Sequence, residues 1–459
     1  GPRSLVGPLV RNAAGILAVA LCAAGCASQS RIVQQYQQMR PALLERKWDS
    51  AVAQLEEAKT RVYRAQDRVM YWLNLGTLLH YAGDYERSME NFVLAEETMQ
   101  EMWTKSISGE IGRFVLNETA QGYAGEDHER VLIYLFTAMN RVQQGRIDDA
   151  LVEARRADEQ LKKMRVAYEA DDGLGTVYRQ DAFMLWLVGV FYEIEGSYND
   201  AFLAYDRALK IYEEEYDRFR ARPPAFIYED LFRTAAQASL TEEANALLES
   251  GRATGVTLER LMEGWAEIVL IHGSGEAPFK QEKRLNVPIP DGYVVSIALP
   301  EPVYVPHKIE FARLTVGDAE AATDLVEPVA SIALAQYAAQ APEIQARAVA
   351  RAAIKYAATK AASEAVKGGS DASSEQRFAG ALVGLIGNIA AAATEGADLR
   401  AWTTLPSDFG AARLWVPPGT HDVEISYHGA NGARLGSAET RTVTLGPNER
   451  RLISVRSLR

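Results

Sequence analysis

Six histidines, two cysteines and a few Gly-flanked polar residues are the groups in this chain that could do chemistry. The histidines stand at 80, 128, 272, 307, 421 and 428. No two have the spacing of His-x-x-x-His, which would place two imidazoles on one helical turn. A linear zinc-hydrolase signature is therefore missing, and neither a metal site nor a cofactor is expected. His421 and His428, in a strand context, could meet His272 only through folding. The best local pocket candidate is His272-Gly273-Ser274-Gly275, followed by Lys280. A Gly-Ser-Gly turn can aim backbone N–H groups at an anion, and a lysine adds charge. The segment lacks both the Gly-x-Ser-x-Gly elbow and the longer Gly-rich loop ending in Lys-Ser/Thr. Three readings stay open: a structural turn, a loop for a ligand or partner, and a Ser274 nucleophile. A second set is charged: Glu129, Arg130, Glu153, Arg155 and Arg156. Glu153 and Arg156 are three apart and can pair on one helical face, with Arg130 approaching from the preceding helix. Such a cluster is either a satisfied structural network or a recognition patch.

The elements that must hold these groups begin with an unusual N-terminus. Both cysteines, at 22 and 26, fall in the first thirty residues, so the body is expected to have no disulfide and no catalytic thiol. Asn12 to Gly25 is an apolar run too short to span a bilayer. It ends in Ala23-Ala24-Gly25-Cys26 before polar residues. This resembles a bacterial lipobox, with residues 1–25 a signal peptide, Cys26 the lipidated residue and 26–30 a tether. Ala23 stands where such boxes usually carry Leu, and a plain secretory peptide is the alternative. Ala27 rather than Asp after the cysteine implies an outer-membrane destination.

Composition sets further bounds. The chain has 459 residues, 48% of them hydrophobic and 24% charged, which suits large cores and excludes a mainly disordered chain. Its net charge of -12 leaves no basic surplus to neutralise phosphates, so nucleic acid is not an expected partner.

The first half repeats itself. Trp72, Leu75, Gly76, Leu79, Gly83, Tyr85, Ser88, Phe92 and Ala95 form one unit. Leu185, Val188, Gly189, Tyr192, Gly196, Tyr198, Ala201, Tyr205 and Ala208 form another at the same spacing. A fair third unit runs from Tyr134 to Ala157, and an earlier one keeps mainly Trp48, Ala51, Leu55 and Ala58. These positions match the tetratricopeptide repeat, a helical hairpin with small residues where its helices cross and bulky ones between hairpins. Residues 31–255 are expected to be a tetratricopeptide-like α-solenoid of about five hairpins, each leaning on its neighbours. The resemblance implies a concave face, lined by first helices, that takes a peptide or partner protein.

After residue 255 the pattern changes. Leu285–Ile289, Tyr293–Leu299 and Ile309–Val316 read as strands, short or at edges because of Pro288, Pro290, Pro300, Pro302 and Pro306. Residues 256–318 are thus expected to be β-rich. An Ala/Gly-rich helical insertion over 319–397 should follow, with two helices divided at Pro342 and an apolar run from Phe378 to Thr394. Gly380, Gly384 and Gly387 lie on one face of that run, which could close a hairpin, join copies into a homo-oligomer or enter a membrane. Residues 398–459 should form a small antiparallel β module, making the whole mostly α with a mixed α+β C-terminal region.

In order along the chain, several pieces resemble a poorly characterised family of Gram-negative tetratricopeptide-repeat outer-membrane lipoproteins. They are the lipobox, Gly125 to Val131, Ala150 to Arg156, His272 to Lys280, and Asp398 to Pro406. The resemblance implies a non-enzymatic scaffold or adaptor, lipid-anchored at the outer membrane and facing the periplasm, that binds an unidentified envelope protein or peptide. It supplies no catalytic residues. The competing expectation is an enzyme or small-ligand-binding lipoprotein using the His272–Lys280 loop.

Overall fold

The computed structural model describes residues 31–107, 122–169, 177–288, 294–367 and 396–458. Cys26 and the Phe378–Thr394 run lie outside them. A predominantly helical N-terminal region is followed by a smaller region built on antiparallel β-sheets. Helix α1 covers residues 31–44, followed by α2 (Trp48–Val62), α3 (Arg68–Ala82), α4 (Tyr85–Ile107), α5 (Asp127–Gln143) and α6 (Ile147–Glu169). Then come α7 (Ala182–Glu195), α8 (Tyr198–Glu215), α9 (Ile227–Gln237), α10 (Thr241–Glu249) and α11 (Val256–Met262).

Tight turns join α3 to α4 and α7 to α8. Gly83 (φ 85°) and Gly196 (φ 79°) take the left-handed conformation that ends a helix, and each returns its N–H to the last turn. Tyr85 and Tyr198 open the next helix. Within each pair a glycine admits an aromatic ring. A Cβ on Gly76 would stand 2.9 Å from the Phe92 ring, and one on Gly189 would stand 2.3 Å from that of Tyr205. Ala201 and Ala208 are fully buried, Leu79 is buried among α1–α3 side chains, and Trp72 and Tyr192 pack partly buried against the core.

The strands are β1 (Ala266–Ser274), β2 (Phe279–Pro288), β3 (Val294–Val303), β4 (Phe311–Val316), β5 (Ala319–Ala322) and β6 (Asp324–Glu327). The long helix α12 (Val329–Lys367) precedes β7 (Asp408–Val416), β8 (Gly419–His428), β9 (Glu439–Leu445) and β10 (Arg450–Ser457). One sheet has the order β10-β1-β7-β6 and the other β5-β4-β8-β9. In the first, β1 runs parallel to β10 and antiparallel to β7. Ile268, Leu270, Leu414 and Val455 of that sheet pack against Leu314, Val423 and Ile425 of the other, forming a sandwich. The alternate residues Val269, Ile271, Phe409, Ala411 and Leu452 join the helical core. The first sheet is therefore covered on both faces, and every residue of β1 is buried.

Two expectations are corrected in the Ala-rich stretch. Residues 319–327 are strands, because Gly317 (φ 58°) turns the chain back and β5 pairs with β4. Their alanines carry no β signal of their own. Pro342 sits inside α12 instead of dividing two helices, and strong Ala-rich helix formers on both sides favour the continuous helix. Strands β2 and β3 form a two-stranded ribbon apart from the sandwich, where Pro300 and Pro302 sit on an edge without breaking a central ladder. Ile297 and Leu299 of this ribbon pack on Ala348 and Ala352 of α12.

Candidate functional site

The chemically capable residues gather where the helical region meets the first sheet. Helices α3, α5 and α7 present the face toward that sheet, and α5 is buried continuously from Asp127 to Asn140. The first-helix face, which the repeat resemblance implies would take a partner, is thus covered by the chain's own second half. Trp402 fills its centre, with ring centroids 5.7 Å from Phe92 and 5.5 Å from Phe136. Its backbone N–H donates to Glu129 (2.6 Å) and its indole N–H to Thr77 (2.8 Å).

The His272–Lys280 segment joins the halves of the molecule. His272, 1% exposed, bonds Ser457 Oγ through Nε2 at 2.8 Å. Burial, and then the charge of Arg456, push its imidazole down to about 3. Ser274 ends β1, facing Ser457 in one neighbouring strand and Asp408 in the other, and is buried. Gly275 (φ 65°) lies under His307, which bonds Asp408 at 2.9 Å. Lys280 reaches away to Glu126, while Glu276 receives Arg40 (3.1 Å) and the Tyr36 hydroxyl. The polar side chains of the segment thus turn to separate partners.

The charged cluster divides as well. Arg156 pairs with Glu153 (3.0 Å) and with Glu96 (2.6 Å). Arg130 does not approach Glu153. It folds back on Asp127 (2.5 Å) and the carbonyls of Ala124 and Gly125, because Gly125 (φ 74°) bends its own chain into reach. Glu129 accepts from Tyr123 (2.6 Å) as well as from Trp402, and Arg155 is exposed.

Three clusters had no local signature. In the first, Glu193, Asp230 and Glu267 meet Arg233, Arg413 and Arg450, with every side chain at most 4% exposed. Glu193 receives Arg233 at 2.8 Å and both Arg413 and Arg450 at 2.9 Å. Burial pushes its carboxyl up, but the three guanidinium groups outweigh this and hold it well below the usual range. In the second, His80 bonds Asn140 through Nδ1 (2.7 Å) and Ser454 through Nε2 (2.8 Å). The order Ser-His-Asn is that of a nucleophile, base and orienting group. Burial holds this imidazole at about 4, however, too weakly basic for general-base work near neutrality. It stitches α3 and α5 to β10.

The third cluster sets Asp181 and Glu327 among buried tyrosines, with Tyr216 (2.7 Å) and Tyr178 (3.1 Å) donating to Glu327. Burial raises Asp181 to about 6 from 3.8. A native carboxyl that keeps its proton longer than the unfolded chain loses stability as pH rises from the unfolded value to the native one. Asp181→Asn keeps an acceptor for the Met184 N–H at the start of α7. The variant should match the wild type at about pH 3 and exceed it by about 2–3 kcal/mol at pH 7.5. Urea unfolding at the two pH values checks this; equal stability at both would place the Asp181 carboxyl in a water-like setting.

No known protein-family profile matches the chain, and no curated protein shows significant similarity to it. Among solved structures it is similar to the crystal structure of the apo form of RapI, at 14% identity and a TM-score of 0.33 over 50% of this chain and 76% of that one. BtubC (BKLC) from P. vanneervenii is similar at 18% identity and a TM-score of 0.30, over 55% and 91%. Both likenesses are too loose to carry a functional argument, and the chain's role rests on its own residues.

Proposed function

We propose that this protein is a lipid-anchored scaffold or adaptor whose tetratricopeptide-like helices hold an envelope protein or peptide at the outer membrane, in envelope assembly or maintenance. The observation that carries the reading is the use of the chemically capable residues as ties between helices and sheets. His80, Glu129, Glu193 and Lys280 are engaged across that junction, and His272 ties β1 to β10 within the sheet, which favours a rigid frame over a reacting cleft. The repeat register is supported by Gly76 under Phe92 and Gly189 under Tyr205. With the inner face filled, partner contact falls to the outer helices, where Leu94 of α4, Val152 of α6 and Leu203 of α8 are exposed. Among the described residues no helix is long and apolar enough to cross a membrane, so the anchor in this reading is Cys26.

The test uses the full chain with its natural leader. Acyl labelling and membrane fractionation of Cys26→Ser should show loss of label and release from the membrane. Photo-crosslinkers at Leu94, Val152 and Leu203 should trap one discrete partner in intact cells. The reading fails if acylation persists in Cys26→Ser. It fails equally if no outer position crosslinks while Ser274→Ala, normally folded, abolishes the cellular role.

A further inference from the structure

The strap over residues 304–308 leads from the end of β3 toward β4 and passes over the turn that follows β1. His307 fastens it there. Its Nδ1 lies 2.8 Å from the Ile309 carbonyl, and its Nε2 lies 2.9 Å from Asp408 at the start of β7. Both partners are acceptors, so both ring nitrogens must donate, and only the imidazolium can do that. The proton shared with Asp408 stays on the ring, because a carboxyl is more acidic than an imidazolium by about two to three pH units. Among the described residues these are the only side-chain hydrogen bonds that residues 304–308 make.

Gly275 makes the seat for the ring. A Cβ there would stand 2.3 Å from His307 Cδ2 and 2.8 Å from Ser407 Cβ, so a side chain at 275 would lift the ring off the turn. The His307 side chain is 9% exposed and that of Asp408 22%, near enough to water for a proton to leave. Asp408 and, beyond the strap, Glu310 face the ring, while His272 of β1 is held neutral and the neighbouring Lys308 is exposed. Asp408 is felt in turn by Tyr304, by Glu327 of β6 and by Arg456 of β10. Burial works against the charge on His307, but Asp408, the Ile309 carbonyl and Glu310 outweigh it and raise the imidazole above 6.5.

We infer that His307 is a proton-operated latch, whose imidazolium pins the 304–308 strap to Asp408 across the end of β1 and whose neutral form lets the strap go. A neutral ring keeps one N–H. It leaves either the Ile309 carbonyl or the Asp408 carboxylate facing a lone pair, which turns an attraction into a repulsion. An imidazole that holds its proton more tightly in the native chain contributes stability that is complete below about pH 6.5 and is lost as pH rises through the native value. The strap is thus closed in mildly acidic solution and opens in alkaline solution. Its release loosens the link between the β2–β3 ribbon and the first sheet. The sandwich core, which contains none of residues 304–308, is unaffected.

Nuclear magnetic resonance of the full chain, labelled with nitrogen-15 histidine, reads the latch directly, and His307→Gln identifies the His307 signals. At about pH 6 both ring nitrogens should carry protons, and the titration midpoint should lie above 6.5. Asp408→Asn should lower that midpoint, a change that lost packing alone would not produce. Trypsin reads the strap, because Lys308 is exposed while Ile309 is 2% exposed and must be drawn out for cleavage. Cleavage after Lys308, normalised at each pH to a short peptide substrate, should be about tenfold faster at about pH 9 than at about pH 6, the worth of one hydrogen bond to a charged group. His307→Gln should be cut at the fast rate at both. A neutral His307 at about pH 6 would overturn the inference. So would equal normalised cleavage of the wild type at the two pH values, a pH dependence retained in His307→Gln, or an unmoved midpoint in Asp408→Asn.

Discussion

Arg413→Met is expected to destabilise the protein by about 3–5 kcal/mol, because it breaks a buried ionic network and leaves its carboxylates in excess. Arg413 touches Glu193 (2.9 Å), Asp230 (2.8 Å) and Glu267 (2.5 Å), and its own side chain is 4% exposed. With Arg413 present, three guanidinium groups face three carboxylates. Without it, one buried negative charge loses its partner and water cannot replace it. Arg87→Met is the control, since Arg87 pairs with Glu56 where both side chains are more than 40% exposed. Exposed pairs contribute about 0–1 kcal/mol, so this variant should be close to neutral. Acid provides a second check. Glu193 is held below its ordinary range, so its contribution is present above the unfolded value and is lost as pH falls through the native one. Weakening the guanidinium field in Arg413→Met should raise the Glu193 carboxyl and shrink this acid-dependent loss. Urea unfolding at neutral and acidic pH measures both effects. A loss below about 1 kcal/mol would mean that the network is solvated like a surface pair.

That network marks the boundary of what could be read from the sequence. The helical pairs were legible because their determinants are local: a left-handed glycine, a tyrosine two residues later, and a glycine facing an aromatic ring. The partner of Glu193 was not, since Arg450 stands 257 residues away. No spacing rule joins positions that meet only when β1, β7 and β10 close over α7 and α9. Arg130 was placed on the right helix but given the wrong partner, because the backbone bend at Gly125 brings closer acceptors. The strands over 319–327 were hidden by alanine, whose helix propensity is overridden by pairing with β4. One signal for the covered inner face did exist. Ala182 to Phe191, in α7, is apolar nearly all round, and a helix of that kind needs cover on more than one side.

The cover makes a large effect expected when it is removed. The sequence suggests that residues 31–255 could stand alone as a solenoid, but the packing argues that the isolated piece should be insoluble or molten. Phe92, Phe136, Phe183 and Leu132 belong to one core with Trp402, Leu405, Phe409, Ile271 and Leu452, all supplied from beyond residue 255. Exposing large apolar side chains costs about 1.5–3 kcal/mol each, so losing these neighbours forfeits on the order of 10 kcal/mol. That equals the whole stability of an ordinary domain. Polar losses add to it. Glu129 gives up the Trp402 N–H, His80 gives up Ser454, and Glu193 and Asp230 retain only Arg233 against two carboxylates. The isolated piece should therefore bind an apolar dye and melt without cooperativity. Residues 256–459, co-expressed as a separate chain, should restore a soluble 1:1 complex, since the contacts at issue are non-covalent. A monomeric 31–255 fragment with a cooperative melt would show that the repeats are self-sufficient, and would return their inner face to the role of a partner groove.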